Sequence, residues 1–397
     1  MIDILYFKNY KSFKDKQEIA FKPITVVIGK NSYEKSAVVK LPTLLETSLL
    51  GKYDDPLLLN NNGVELGAEF RDLIYGREIG SLELSIKENN NLLDVEITSG
   101  VKDSDFPKIR KWQYNDILKL SYDDKKDEYF DEFTKQNYQI EFSGFKITNI
   151  KPEVKNTSLD ISLNTNYVGP FREIPKRTYN ISGSSKTLKV GNNGENAYQI
   201  LINDYVKKGG KLLKQVSEWY ENNFDGWGIQ INDSSKPDYK IELVRNNPKF
   251  SINIKDVGEG MTQALPIVVS AFIEDKKEVL TILEQPELHL HPAAHGNLAE
   301  LLALSSKSSN KKFLIETHSQ NFILRLRRLV AEGIIDKNNL AIYFVDYDSK
   351  NNSSLLKQIE VNRDGSVSFW PKNIFSETLD ETLAIRNAQL KMLENDN

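Results

Sequence analysis

At 397 residues the chain is long enough for one large hydrophobic core or two moderate ones, and 39% hydrophobic with 27% charged residues fits a soluble globular protein. No apolar run approaches the roughly 20 residues that span a bilayer, and Met1 to Tyr10 carries no signal-peptide pattern. The absence of cysteine excludes disulfides and thiolate metal sites and suits a cytoplasmic protein, while a net charge of −4 gives no bulk signal for nucleic acid.

Ile2 to Phe7 and Gln17 to Phe21 read as an antiparallel strand pair with Lys8 to Ser12 in the turn. Ile24 to Ile28 is a third, wholly apolar strand. It runs into Gly29-Lys30-Asn31-Ser32-Tyr33-Glu34-Lys35-Ser36, followed by a helix from Ala37 to Leu50 that is capped by Gly51 and bent or tightened at Pro42. A strand, a loop from Gly to Lys-Ser and then a helix is the context of a phosphate-binding loop. Backbone N–H groups wrap the phosphates, the lysine meets the β/γ oxygens, and the serine hydroxyl meets Mg²⁺. The pattern asks for glycine at 34, where this chain has Glu34. Glycine lets the backbone approach the phosphates. A carboxylate facing inward repels them, whereas one facing outward leaves a loop of lower affinity, so restoring glycine is expected to tighten binding.

Residues 52–160 read as an inserted α+β region without an assignable task. Leu82 to Ile86 and Leu92 to Ile97 form a hairpin over Asn89 to Asn91, Asp123 to Glu132 is a charged helix or loop, and Tyr138 to Ile147 is one strand. Arg172, after a Gly-Pro turn, contacts either a phosphate, a partner or a surface carboxylate. Glu195 to Val206 is helical, and Lys207, Lys208, Lys211 and Lys214 form a basic face that is more simply solvated than bound to nucleic acid. Tyr239 to Val244 and Phe250 to Ile254 form another hairpin. Gly258 and Gly260 then precede an apolar helix from Ala264 to Ile273, a weak anion-binding feature by itself.

Val279 to Leu283 is a doubly buried strand ending in Glu284-Gln285-Pro286-Glu287. A helix begins at Pro292, and a second strand, Phe313 to Ile315, ends in Glu316-Thr317-His318-Ser319. Two parallel strands joined by a helix, polar at their carboxyl ends, define a doubly wound α/β site. All four histidines fall in this stretch. His289, His291 and His295 have a spacing open to zinc, but no cysteine or obvious fourth ligand accompanies them. Gln320 to Glu332 is helical, Leu340 to Val345 and Leu355 to Val361 are strands, and Leu379 to Leu393 is a terminal helix. Asp346-Tyr347-Asp348 offers a nuclease-like carboxylate pair, with an exposed turn the simpler reading.

The blocks IGKNSYEKS, DVGEGMTQALPI, EQPELHLHP and ETHS, in that order, resemble the ATP-binding-cassette head of SMC and Rad-type ATPases. They look most like the stand-alone OLD-like AAA ATPases without a Toprim nuclease. The resemblance implies an α/β head with a mixed sheet, an N-terminal antiparallel β-subdomain and the inserted region. Its parts are an N-terminal lobe (1–51), the insertion (52–160), a C-terminal lobe (161–350) and a tail (351–397). It implies ATP held by Gly29, Lys30, Asn31, Ser32, Tyr33, Lys35 and Ser36, with Gly258 and Gly260 closing the nucleotide of a second protomer. Mg²⁺ is then held by Ser36 and Glu284, and His318 senses the γ-phosphate. Gln285 stands where relatives carry the carboxylate that activates water, and an amide positions water without taking its proton at neutral pH. Glu287 is the nearest substitute. The resemblance further implies a homodimer or higher oligomer, a separate effector such as a nuclease or toxin, and a setting in anti-phage defence. A nucleotide-independent scaffold and a DNA-end-binding ATPase remain the alternatives.

Overall fold

The computed structural model describes residues 1–397 except 31–33, 100–105, 155–156, 182–187, 247–248, 309, 372–373, 376 and 396–397. Its centre is a six-stranded sheet in the order Thr165–Val168, Val279–Glu284, Lys311–Glu316, Ile24–Gly29, Leu340–Asp348 and Ser353–Ile359. All neighbours run parallel except the last pair. Ile24–Gly29 and Val279–Glu284 are buried at every position. Both are runs of β-branched and aliphatic residues covered on two faces, as parallel strands require.

The two faces carry separate cores. Ile24, Val26, Ile28, Leu283, Phe313 and Ile315 point to one side, where the helices Ala197–Lys207, Lys211–Asn223, Glu259–Phe272, Pro292–Ser308 and Gln320–Ala331 pack. Val27, Leu280, Ile282 and Leu314 point to the other, against the Lys35–Leu50 helix and an antiparallel sheet beyond it. Each of these side chains contributes about 1.5–3 kcal/mol on leaving water. Gly51, with φ 63°, ends the Lys35–Leu50 helix and donates its N–H to Ser48 and Thr47. Among the described residues, no helix is long and apolar enough to cross a membrane.

The 52–160 segment corrects one expectation. Its described residues hold strands and two short 3₁₀ turns and no α-helix. It does not sit apart either, because Ser81–Glu88 pairs with Ile4–Lys8 and prolongs the N-terminal pair into a nine-stranded sheet. Within the charged run 123–132, residues 124–127 make a tight turn, with Asp127 at φ 53°, and the rest belongs to the paired strands Leu118–Asp123 and Glu128–Asp131 or their ends. Leu118, Leu120 and Tyr129 face the core there, and that alternation outweighs the charges at the tip. The single strand expected at 138–147 is two, Asn137–Ser143 and Lys146–Lys151, reversing at Gly144 with φ 56°. The helix Lys211–Asn223 and the strand Gly228–Ser235, which pairs with Asp238–Asn246, add elements that the sequence reading did not contain.

One buried cation ties two layers. Lys311 begins the strand Lys311–Glu316, is 3% exposed, and donates to the carbonyls of Ser270, Ala271 and Ile273 at the end of the Glu259–Phe272 helix. A cation at a helix carboxyl end satisfies carbonyls that lack intrahelical partners. Lys311→Met is expected to leave them unbonded and to cost about 2–3 kcal/mol, read as a shift of the urea unfolding midpoint. An unchanged midpoint would show that water replaces the ammonium.

Candidate functional site

Strand periodicity builds the site. With Leu280 and Ile282 facing the Lys35–Leu50 helix, Glu284 at the strand end faces it too, and the same alternation brings Glu316 round after Leu314. The parallel register sets Glu284 opposite Glu316. Neighbouring strands lie about 4.8 Å apart, so two carboxylates stand side by side beneath the start of that helix. Glu284 is 4% and Glu316 3% exposed.

The loop between Ile24–Gly29 and the helix delivers the opposing groups. A side chain at Gly29 would lie 2.8 Å from the Val345 carbonyl oxygen. Lys30 is exposed, while Asn31, Ser32 and Tyr33, expected to bind phosphate, lie outside the described residues. Lys35 is 4% exposed and donates from Nζ to the Lys30 carbonyl at 2.7 Å. Ser36 donates from Oγ to Glu316 Oε2 at 2.8 Å. Lys40 Nζ, one turn later, is 3.8 Å from Glu284 Oε1, and the Tyr167 hydroxyl donates to that same oxygen at 2.9 Å. Glu34 holds φ 64°, ψ 30°, the left-handed conformation for which glycine is the usual residue. Its carboxylate is exposed and acts on Tyr10 and Lys11, whereas the carboxylate acting on Lys35 is Glu316. Glu34 therefore keeps the backbone of the expected glycine while its side chain stays exposed.

Burial dominates the electrostatics. It raises the Glu284 carboxyl to about 7, with Lys40 opposing the shift and Glu316 adding to it. Burial also raises Glu316, against the Ser36 hydroxyl and Lys35. The Lys35 ammonium is lowered by burial, with Glu316 opposing the shift. The His318 imidazole is lowered by burial and by Lys35, which keeps it neutral at pH 7. Carboxylates held above their ordinary range signal a site short of positive charge. The Ser36 hydroxyl and the Glu284 carboxylate, with Glu316 behind the serine, are hard oxygens that fit the Mg²⁺ of a magnesium nucleotide. Such an ion, when bound, would neutralise phosphate charge.

The acidic turn is braced from behind. Gln285 is half-buried at φ 44°, and its N–H donates to the Glu316 carbonyl at 2.8 Å. Arg172 is 6% exposed and donates from Nη2 to the carbonyls of Glu284 and Gln285 at 3.2 and 2.9 Å. It is buried on backbone carbonyls, so the reading of a surface ion pair gives way to a buried support. Glu287 is also turned inward. It is 6% exposed, and its Oε1 accepts from the Thr317 hydroxyl at 2.7 Å and the His318 N–H at 2.8 Å. That position ties the acid to the turn before His318.

The remaining histidines disperse. His295 places Nδ1 2.8 Å from Ser319 Oγ and Nε2 3.0 Å from the Leu290 carbonyl, His291 accepts from the Ala293 N–H, and His289 faces Glu259 at 3.3 Å. Among the described residues no three His, Asp or Glu side chains cluster as metal ligands would. Gly260 packs against the turn, since a side chain there would lie 2.8 Å from the His289 carbonyl, while Gly258 is exposed with open space around it. Asp346 pairs with Lys357 at 2.8 Å, and Asp348 accepts from the Lys350 N–H and the Asn351 amide within its turn.

The structure thus gathers Lys35, Ser36, Glu284 and His318, and it adds Glu316, Lys40 and Tyr167. Glu316 was visible as the last residue of an apolar strand, like Glu284. Lys40 and Tyr167 gave no sequence signal, because their role comes from packing.

Two substitutions test this arrangement. Glu284→Gln in metal-free buffer removes a charge that burial opposes and is expected to stabilise the fold at pH 8 by about 2 kcal/mol. A carboxyl raised to about 7 in the folded state makes the wild type lose stability as pH rises from its unfolded value toward 7. The gain should therefore vanish near pH 5 in paired thermal melts. Glu34→Gly should relieve roughly 1–2 kcal/mol of left-handed strain and, because the carboxylate it removes is exposed, change nucleotide affinity by less than about threefold. A larger tightening would show that the charge reaches the phosphates.

Residues 1–323 match the family described as AAA ATPase domain, and residues 335–385 match one described as Protein of unknown function (DUF3696). An "ATP/GTP phosphatase" of Helicobacter pylori is 23% identical over 368 residues, covering 84% of this chain and 89% of that protein. An Smc head solved bound to the C-winged helix domain of ScpA superposes with TM-score 0.50 at 14% identity, covering 91% and 98% of the two chains. The SMC head domain from Thermotoga maritima covers 91% and 99%, with TM-score 0.44 and 12% identity. The fold is that of an SMC-like ATPase head, and the chain belongs to the AAA ATPase domain family.

Proposed function

We propose that this protein binds ATP with Mg²⁺, hydrolyses it slowly, closes as a dimer around the nucleotide, and relays that closure to a separate effector protein. The observation that carries the reading is the meeting of Lys35, Ser36 and Glu284 with His318 at the carboxyl edge of one sheet, on the side of the Lys35–Leu50 helix. Lys35 and Ser36 would hold the β/γ-phosphates and the ion, Glu284 would hold the ion's waters, and neutral His318 would meet the γ-phosphate. Gln285 would orient the attacking water without taking its proton, which accounts for slow turnover.

Two features support closure by a second copy. The Glu259–Phe272 helix, preceded by Gly258, packs on the opposite sheet face from the Lys35–Leu50 helix. A loop so placed serves a nucleotide held by another chain more readily than its own. Phe171 and Ile174, 80% and 72% exposed, flank buried Arg172 in a segment bound to the same loop through Arg177 and Asp256. Exposed apolar side chains at such a rim suit burial against a partner. The effector and the anti-phage setting rest on the resemblance to stand-alone OLD-like ATPases, and the ScpA domain seen on an Smc head is a parallel for partner docking. A duplex-DNA role draws little from the basic face, where Lys211 pairs with Glu274 and Lys214 with Glu218.

Steady-state phosphate release by the wild type should exceed that of Lys35→Ala by at least about tenfold, and Gln285→Glu should raise it further. Equal rates in wild type and Lys35→Ala would remove the enzymatic claim. Absence of ATP binding heat would leave the nucleotide-independent scaffold. Phe171→Glu with Ile174→Glu should weaken ATP-dependent dimerisation by about tenfold or more in sedimentation, with monomer ATP binding intact.

A further inference from the structure

We infer that Glu316, in addition to Glu284, is part of the metal-positioning machinery, a carboxylate that fixes the Ser36 hydroxyl on the ion's side. This rests on the nucleotide-binding reading above and goes beyond it by assigning a residue that neither the phosphate-loop pattern nor the acidic turn contains.

The geometry begins with strand order. Lys311–Glu316 is the immediate neighbour of Ile24–Gly29, whereas Val279–Glu284 lies one strand further out. Ser36, in the first turn of the helix that follows Ile24–Gly29, reaches the nearer carboxylate, and its hydroxyl donates to Glu316 Oε2 at 2.8 Å. Glu284 meanwhile takes the Tyr167 hydroxyl at 2.9 Å and lies 3.8 Å from Lys40. The two acids are divided by their partners, one toward the phosphate loop and the other toward Tyr167. The second oxygen of Glu316 lies 3.9 Å from His318 Nε2. A single carboxylate thus stands between the hydroxyl expected on the ion and the imidazole expected on the terminal phosphate.

A serine hydroxyl has one proton and two lone pairs. With its proton given to Glu316, its lone pairs are free for a cation, and the accepting carboxylate makes the oxygen a better ligand. Gln285 cannot supply this, and Glu287 is engaged with Thr317 and the His318 backbone. Glu316 is the acid that accepts the Ser36 hydroxyl, with His318 Nε2 3.9 Å from its other oxygen. Its role is therefore positioning, exerted through Ser36.

The test is ATP binding by calorimetry, in EDTA and in Mg²⁺, with wild type and Glu316→Gln. The amide keeps an acceptor for Ser36 and the side-chain shape but removes the charge, so a merely structural role would leave the gain from Mg²⁺ intact. We expect that gain to fall about tenfold or more in Glu316→Gln, metal-free ATP binding to stay equal or tighten, and the thermal melt to stay at or above wild type. The electron paramagnetic resonance spectrum of Mn²⁺ in the ATP complex should change as well. Wild-type protein that gains from Mg²⁺ together with a Glu316→Gln variant that keeps the full gain and the same Mn²⁺ spectrum overturns the assignment and leaves the nucleotide-binding reading standing. Wild-type protein that binds no ATP overturns that reading, and this assignment with it.

Discussion

The register between two parallel strands is the constraint on which the site depends. Because Val279 pairs with Lys311, the strand ends Glu284 and Glu316 come out level. Because side chains alternate, both point to the face that the Lys35–Leu50 helix covers. A slip of one residue would send one acid into the opposite core, among Leu283 and Ile315. The apolar residues that precede each acid therefore do more than fill space. Leu280 and Ile282 on one strand, and Leu314 on the other, lock the phase of the alternation and so aim the carboxylates.

Holding two like charges side by side away from water is unfavourable, and the surroundings show how the fold tolerates it. Lys40 and Tyr167 attend Glu284, and Ser36 and Lys35 attend Glu316. A third acid, Glu287, lies just behind and is raised by burial despite the Thr317 hydroxyl and two backbone N–H groups. Arg172 faces this cluster from the interior. Its own charge is disfavoured by burial, to about 10, and the Glu287 carboxylate opposes that shift. Among the described residues, Arg172 Nε and Nη1 and Glu287 Oε2 are buried without hydrogen-bond partners. Such groups are costly to bury, and here they bound the turn Gln285–His291, whose Gln285 and His289 already hold left-handed backbone. Left-handed backbone and incomplete hydrogen bonding thus occur together in the segment where chemistry is expected.

Much of this was legible in the sequence because it rests on local pattern. The apolar runs ending in Glu284 and Glu316, the glycine-to-Lys-Ser loop and proline at the start of a helix each carry their own physical signature, and the structure places their products in one sheet. The 52–160 segment was harder. Its strands are polar on one side, so the charges at 123–132 obscured an alternation that Leu118, Leu120 and Tyr129 in fact set. The burial of Arg172 and Glu287 was not legible for a different reason. A charged residue next to a motif reads as exposed and available, and burial behind a turn is a property of the assembled layers. The orientation of Glu34 was left open for the same cause. The loop pattern names the position, but only the packed neighbours, Tyr10 and Lys11 among them, decide where the carboxylate lies.

The same layering bears on how occupancy and stability are linked. Without a cation, burial raises Glu284 and Glu316 and lowers Lys35, so each group is held away from its preferred charge state. A ligand that brings both a divalent ion and phosphate oxygens answers both signs at once, the ion for the acids and the oxygens for the ammonium. Binding to the folded chain alone would then stabilise it by mass action. The strands that carry the acids also carry the two cores, through Leu283 and Ile315 on one face and Ile282 and Leu314 on the other. Charge compensation at the strand ends is thereby felt on both faces of the sheet. A site built this way holds acids and an ammonium away from their preferred charge states, an imbalance that a ligand carrying both charges would relieve.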